Sequence, residues 1–364
     1  MKNMLTRTAL VSSVILSLSA VAQAQTTVSG NVSLIYKAVS SDGASTKANN
    51  FRAFGKESQI NLTNRGKFGS LDYVAGFSLE FDGSDSSANN GTAAANGTTL
   101  DGSFNENTYI DFINPGTKTT FTIGADHIQN PDFTMTNLVG SVDQDDLVSG
   151  INNLATSFVT SKNSAYQAYG FGIVQDVGVG RVSLNYTPTR STGQAMGDTG
   201  SIGTTAPNTT TANYDTGESA YEVGFRGGLG VKGLDVAAFY NQSKGGAALG
   251  GTSDLKGRMY AAKYNFGQVT VAGERGITTA ITGLDTTSDS VAIGYAIDNA
   301  WTIALSESRT KVDQGTSKEK IRALSVGYTL GPVATSLNYG TVDNIKNTAS
   351  NDGQALMGRV NVNF

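Results

Sequence analysis

The chain has 364 residues, no Cys, 44 Gly against only 5 Pro, and 26 basic against 30 acidic residues for a net charge of −4. The missing Cys excludes a disulfide framework and a thiolate metal centre, and the acidic balance argues against a nucleic-acid partner, which wants a basic surface. No stretch approaches the roughly 18 consecutive apolar residues of a membrane-spanning helix, but a strand that alternates lipid-facing and water-facing residues looks equally polar on average.

The N-terminus reads as a leader. Lys2 and Arg7 give a positive start, residues 9–21 are uncharged and mostly apolar, and Ala22-Gln23-Ala24 has the small-x-small form of a cleavage site. A signal peptide over 1–24 leaves one domain over 25–364. Removing Lys2 and Arg7 leaves 24 basic and 30 acidic residues, a net charge of −6.

From there the dominant period is two, the signature of strands. Leu71, Tyr73, Ala75, Phe77, Leu79 and Phe81 alternate with Asp72, Val74, Gly76, Ser78, Glu80 and Asp82. Similar alternation runs through Val182-Leu184-Tyr186, Tyr221-Val223-Phe225, Tyr260-Ala262-Tyr264-Phe266, Val291-Ile293-Tyr295-Ile297 and Leu324-Val326-Tyr328-Leu330. The intervening positions are Gly, Ala, Ser and charged residues, which fits a wall facing water or a crowded lumen. In a two-sheet sandwich the apolar face needs a second sheet; in a barrel it needs only lipid.

The connections alternate in length. Short ones fall at 64–69, 114–117, 176–180, 227–233, 267, 298–299 and 331–332; long ones at 40–50, 83–103, 126–163, 190–216, 245–254, 278–287, 313–317 and 343–353. Fifteen connections imply about sixteen strands, with turns on one rim, loops on the other and both termini on the turn side. The fold class is thus all-β: a transmembrane antiparallel barrel.

Letter matches to chemical motifs fail on context. Gly228-x-Gly230-x-x-Gly233 has the spacing of a dinucleotide fingerprint but lies between two strands with no helix after it. His127 is the only histidine, and no Ser lies in an elbow-like setting for it to activate. Asn61-Leu62-Thr63 and Asn96-Gly97-Thr98 match a glycosylation pattern, which carries little weight on its own.

The last strand carries Val360, Val362 and Phe364 on one face and Arg359, Asn361 and Asn363 on the other, and ends on the aromatic ring. It resembles the closing strand of bacterial outer-membrane barrels, in which the terminal aromatic belongs to the signal read by the barrel-assembly machinery. Glu57-Ser58-Gln59-Ile60-Asn61-Leu62-Thr63-Asn64, followed by Phe68-Gly69-Ser70-Leu71 and Leu79-Glu80-Phe81, resembles the second hairpin of general bacterial porins. Asn107-Thr108-Tyr109-Ile110-Asp111-Phe112, the Pro115-Gly116 turn and Phe121-Thr122-Ile123-Gly124 resemble the hairpin preceding that family's constriction loop. The resemblance implies a sixteen-stranded homotrimer in outer-membrane lipid, passing ions and small hydrophilic solutes, with no cofactor or metal. It also implies that the third long loop, after the fifth strand, folds into the pore.

That loop contains Asp132, Asp143, Asp145 and Asp146. Carboxylates in a narrow aqueous constriction attract cations and repel anions, although a charge run also suits a merely solvated loop. Strand parity offers Lys37, Arg181, Arg226, Lys263 and Arg359 as lumen-facing cations that would set up a transverse field. The wall where the family commonly carries an arginine cluster offers instead Gln59, Asn61, Asn107, Tyr109 and Asp111, which tilts the expectation toward cation preference. Arg322 falls on the lipid-facing parity near a loop-side strand end, where a long side chain can snorkel. The rival readings are a substrate-selective channel, a β-solenoid adhesin, which should show fixed-period repeats that are absent, and a barrel hydrolase limited to His127.

Overall fold

A computed structural model describes residues 25–41, 51–80, 104–125, 135–139, 147, 169–187, 219–243, 255–279, 285–315 and 317–364. They form sixteen strands: β1 Gln25–Ser41, β2 Phe51–Phe68, β3 Leu71–Glu80, β4 Phe104–Asn114, β5 Thr119–Ala125, β6 Tyr169–Asp176, β7 Arg181–Thr187 and β8 Ala220–Gly227. The second half comprises β9 Leu234–Ser243, β10 Leu255–Phe266, β11 Val269–Thr279, β12 Asp285–Ala296, β13 Trp301–Val312, β14 Glu319–Leu330, β15 Val333–Asp343 and β16 Gly353–Asn363. Each strand pairs antiparallel with its sequence neighbours, and β16 pairs with β1 to close the barrel. Closure leaves no strand edge, which lets backbone polar groups cross hydrocarbon satisfied.

The short connections shrink further than the sequence suggests. Residues 64–68, expected to belong to a turn, are ladder-paired strand, with Asn64 opposite Ala75 and Phe68 opposite Leu71. The Gly228/Gly230/Gly233 segment is the β8–β9 turn; Gly230 and Gly233 have φ of 78° and 83°, a left-handed backbone that glycine adopts without strain. A register shift between Gly76 and Ser78 places Tyr109 opposite Gly76 but Glu106 opposite Ser78, and the side chain of Asn107 lies outside the described ones. A bulge inserts an unpaired residue and resets parity, and period-two counting has no means of seeing it.

The two faces of the wall separate by parity. Val32, Leu34, Leu184, Val223, Val291, Ile293, Leu305, Leu324 and Leu337 point outward and are exposed, as lipid-facing side chains are. Near the turns an aromatic girdle forms: Phe68 lies 6.3 Å from Phe112, Phe121 6.3 Å from Phe171, and Trp301 4.6 Å from Tyr328 between ring centroids. Amphipathic rings favour the membrane–water boundary at such a height.

The seam is held by the chain's end. Phe364 and Gly30 exchange two backbone hydrogen bonds of 3.0 Å. Gly30 must be glycine, because a Cβ there would stand 2.2 Å from the Gln59 carbonyl oxygen and 2.8 Å from the Phe364 ring. Val360, Val362 and Phe364 line up on the lipid side, 46 %, 38 % and 60 % exposed.

Candidate pore constriction and lumen wall

The connection after β5 enters the barrel. Met135, Val139 and Leu147 are almost fully buried, at 1 %, 3 % and 1 % exposure. Met135 packs into a lumen-side cluster of Ala237, Phe239, Met259, Ala261 and Ala272 from β9, β10 and β11. Leu147 joins Val39, Ile321, Ala323, Val342, Ile345, Ala355 and Met357, which reaches from β14 through β15 and β16 to β1. Apolar side chains inside a water-filled barrel are stable only when they bury one another, so these two clusters are the loop's anchors.

Between these clusters the wall makes room for the loop with glycines. A Cβ on Gly294 of β12 would lie 3.2 Å from Leu138 Cδ1, one on Gly327 of β14 2.7 Å from Val139 Cγ1, and one on Gly340 of β15 2.7 Å from Leu147 Cδ2. Ala292, Ala304 and Ala323 continue the small-residue strip. Polar fixation comes from Glu274 on β11. Its Oε2 accepts the Met135 N–H at 2.9 Å and its Oε1 accepts the Thr136 hydroxyl at 2.8 Å. Hydrogen bonds to an ionised acceptor are stronger than neutral ones.

Lys37, Gln59, Asn61, Tyr109, Asp111, Arg181, Arg226, Lys263 and Arg359 all occupy lumen-facing register positions. They do not form one opposing row. Arg226 donates from Nη2 to Asp235 Oδ2 at 2.8 Å, Lys263 Nζ lies 3.8 Å from the same oxygen, and Arg181 is the register partner of Arg226. These three stand beside the turns, at the mouth opposite the long loops. Arg359 contacts Glu57 Oε2 at 2.9 Å through Nη2 and donates from Nε to Ser33 Oγ at 2.8 Å. Thr122 donates to Asp111 across the β4–β5 ladder, and Ser78 donates to Asn61 Oδ1 at 2.6 Å. Of the five cations, Arg226, Lys263 and Arg359 are thus set against wall carboxylates. Asp132, Asp143, Asp145, Asp146 and His127 lie outside the described residues.

Sequence reading missed Glu274 and the glycine strip. Both were visible as residues, but nothing in an alternating pattern says which small inward positions will carry a loop. Among the described residues no group of His, Cys, Asp and Glu has a metal-binding arrangement.

Solved structures share this architecture. The anion-selective porin of Comamonas acidovorans superimposes with a TM-score of 0.62 at 14 % identity, over 94 % of this chain and 100 % of that one. OmpF of Salmonella typhi, in complex with daunomycin, gives 0.62 at 11 % over 93 % and 97 %. OmpT of Vibrio cholerae in its trimer form gives 0.58 at 11 % over 94 % and 99 %. No curated protein sequence matches the chain. The sequence profile of Gram-negative porins matches residues 8–351, nearly the whole length. A closed sixteen-strand barrel with an apolar outside, a polar inside and a loop folded inward thus places the chain in the Gram-negative porin family, as a bacterial outer-membrane channel.

Proposed function

We propose that the protein passes ions and small hydrophilic solutes by diffusion through a water-filled pore, narrowed by the loop after β5. The observation that carries this is the loop's anchorage inside the barrel, with Met135, Val139 and Leu147 buried against the wall and Glu274 fixing Met135 and Thr136. Around the rest of the lumen the wall presents Arg359, Glu57, Gln59, Asn61 and Asp111, which solutes meet as hydrogen-bonding and charged groups.

A cation preference is part of the proposal. Three of the described lumen cations, Arg226, Lys263 and Arg359, sit against carboxylates, while Asp143, Asp145 and Asp146 precede the lumen-buried Leu147 closely in sequence. The similar Comamonas porin is anion-selective, so the fold leaves the sign of selectivity to such side chains. The remaining elements are a leader over 1–24, a homotrimer as in the OmpT trimer form, and delivery by the barrel-assembly machinery through Val360, Val362 and Phe364. Single-channel recording in asymmetric salt tests the reading: a stable conductance with a cation-side reversal potential is expected. Replacing Asp143, Asp145 and Asp146 by Asn moves that potential toward anions, and the shift shrinks in ~1 M salt, where the screening length falls to about 3 Å. A silent bilayer would remove the channel reading; an unshifted potential would remove only the aspartates' role.

A further inference from the structure

An aromatic ring lies inside the lumen on the wall that faces the inward loop. Tyr109 on β4 is half-buried, and both of its register partners are glycines, Gly76 on β3 and Gly124 on β5. A Cβ on Gly76 would stand 3.1 Å from both Cε1 and Cζ of Tyr109, and one on Gly124 2.7 Å from its Cβ. The ring therefore lies back along the wall over Gly76 and turns its other face to the lumen. A larger residue at either glycine would push it off the wall. The register shift between Gly76 and Ser78 falls beside it. Bulges re-aim side chains and recur next to functional sites, and glycine inside a strand marks a place of close approach.

The ring's position follows from counting strands. In a closed ring of sixteen, β4 is seven strands from β11 and eight from β12, half the circumference. Strand β11 holds Met135 and Thr136 through Glu274, and β12 carries Leu138 over Gly294. Tyr109 stands five residues from Asn114 at the turn-side end of β4, and Glu274 five residues from Val269 at that of β11. Five residues rise about 13 Å along the axis of a barrel whose strands tilt by ~40°. Ring and loop thus face each other across the pore at one level, where a solute passes closest to both.

Covering a glycine with a ring also stabilises a barrel wall. Tyr73 does so over Gly66 on the lipid side, where a Cβ would lie 2.7 Å from its Cε1. Tyr109 differs in its polar frame. Toward the loops stand Asn61 and Ser78, joined by a 2.6 Å hydrogen bond, with Gln59 one step beyond. Toward the turns stands Asp111, which accepts the Thr122 hydroxyl. A bare ion gains nothing from a flat ring. A wholly apolar solute would strip water from the amides and hydroxyls and leave them unpaired. A cyclic solute with C–H faces and a rim of hydroxyls uses the ring and the frame together.

We propose that Tyr109 is a stacking platform for the sugar ring of a passing mono- or disaccharide, whose hydroxyls meet Asn61, Gln59 and Asp111. The proposal rests on the diffusion reading and gives that pore a solute class. Such a station speeds passage only while its grip stays weak enough for the solute to leave, which suits one exposed ring face better than an enclosed pocket.

The test is ion current through single channels of the full barrel, titrated with glucose, a glucose disaccharide and the open-chain polyol sorbitol. Glucose and sorbitol are alike in size, so both slow ions by volume and viscosity, but only the closed ring offers a face to stack. Glucose and the disaccharide should reduce the current saturably, and sorbitol only in proportion to viscosity. Tyr109→Leu should raise the half-blocking concentration roughly tenfold, and Tyr109→Phe, which keeps the ring, should restore it. If Tyr109→Leu folds poorly, Asn61→Leu decides, and it should weaken the block by roughly threefold or more. Equal, unsaturable effects of glucose and sorbitol, or a Tyr109→Leu or Asn61→Leu channel blocked like the parent, would overturn the proposal and leave the ring as a cover for Gly76. So would a stronger block by nicotinamide than by glucose, which would make the platform a site for flat aromatic solutes. A silent bilayer would remove the channel reading and this one with it, whereas an open channel indifferent to sugar removes this one alone.

Discussion

The lumen wall consists of two unlike arcs. Over β10–β15 the inward positions are small, among them Ala261, Ala272, Ala292, Gly294, Ala304, Gly327 and Gly340, and the inward loop lies on them. From β16 across the seam to β4, on the turn side of the Leu147 cluster, the inward positions include Arg359, Ser33, Glu57, Gln59, Asn61, Tyr109 and Asp111; Arg359 pairs with Glu57 and donates to Ser33, and Asn61 and Asp111 accept from Ser78 and Thr122. Both arcs are strands of period two with an apolar outside. The difference lies only in what the inward positions meet. One arc is emptied so that a loop can fill it and narrow the pore from one side; the other is furnished for water and solutes. A constriction built this way is eccentric, with a packed and an open side.

The largest effects are expected where the open arc is joined to itself. Deleting Phe364 removes two backbone hydrogen bonds and the ring over Gly30. Gly30→Leu forces a side chain into the same space, and its Cβ alone would stand 2.2 Å from a carbonyl oxygen. Each change should abolish most of the heat-modifiable folded barrel on detergent gels, while Gly55→Leu, where nothing lies within 4 Å of a new Cβ, should not. Equal yields for Gly30→Leu and Gly55→Leu would mean that the seam tolerates what the geometry forbids.

Next comes the packed arc. Glu274→Ala removes the acceptor for Met135 and Thr136. Two hydrogen bonds to a charged group are together worth about 3 kcal/mol, so released loop states should rise by roughly a hundredfold. The expected outcome is flickering, noisier open-channel current with the barrel's thermal stability little changed. A quiet channel would show that the apolar anchors alone hold the loop.

A smaller effect is expected on the open arc. Arg359→Gln leaves Glu57 without its 2.9 Å partner in the lumen. The reversal potential should move toward cations, and stability should change by no more than about 1 kcal/mol, because Glu57 is well hydrated. A shift toward anions would mean that Arg359 does not contribute to the pore's field.

The smallest effect lies outside both arcs. Asp298, in the β12–β13 turn, accepts the Trp301 and Ala300 N–H groups at 2.8 and 2.7 Å, which holds its carboxyl below the usual 3.8. A depressed folded-state pKa gives stability that is present above the ordinary value and lost as pH falls through the folded one. Asp298→Asn should therefore be slightly less stable than the parent at neutral pH and converge with it in strong acid. Parallel stability curves from neutral to acid pH would contradict this.

The barrel was legible because alternation is a local signal repeated on every strand, and sixteen was countable because turns and loops alternate. Lipid-facing Leu71, Tyr73 and Phe77 and lumen-facing Asp72 and Ser78 follow directly from parity. Parity is broken between Glu106 and Tyr109, where one inserted residue shifts the register without changing composition. It is also silent on height. Arg181, Arg226 and Lys263 face the lumen as their positions suggest, yet they stand beside the turns, because facing is a period-two property and depth depends on register around the barrel. Glu274 was one more inward carboxylate until the fold brought Met135 to it across a sequence separation of 139 residues.

The packed arc can be tested directly with a cysteine pair, since the chain has no cysteine of its own. A Cβ on Gly327 would lie 3.9 Å from Val139 Cβ, within the range a disulfide spans. Val139→Cys with Gly327→Cys should close to a disulfide in the folded barrel under mild oxidation, and the oxidised channel should keep its conductance, because the bond fixes the loop where it already lies. Two thiols that stay free and both react with a membrane-impermeant reagent would place the loop away from the β14 wall and contradict the account.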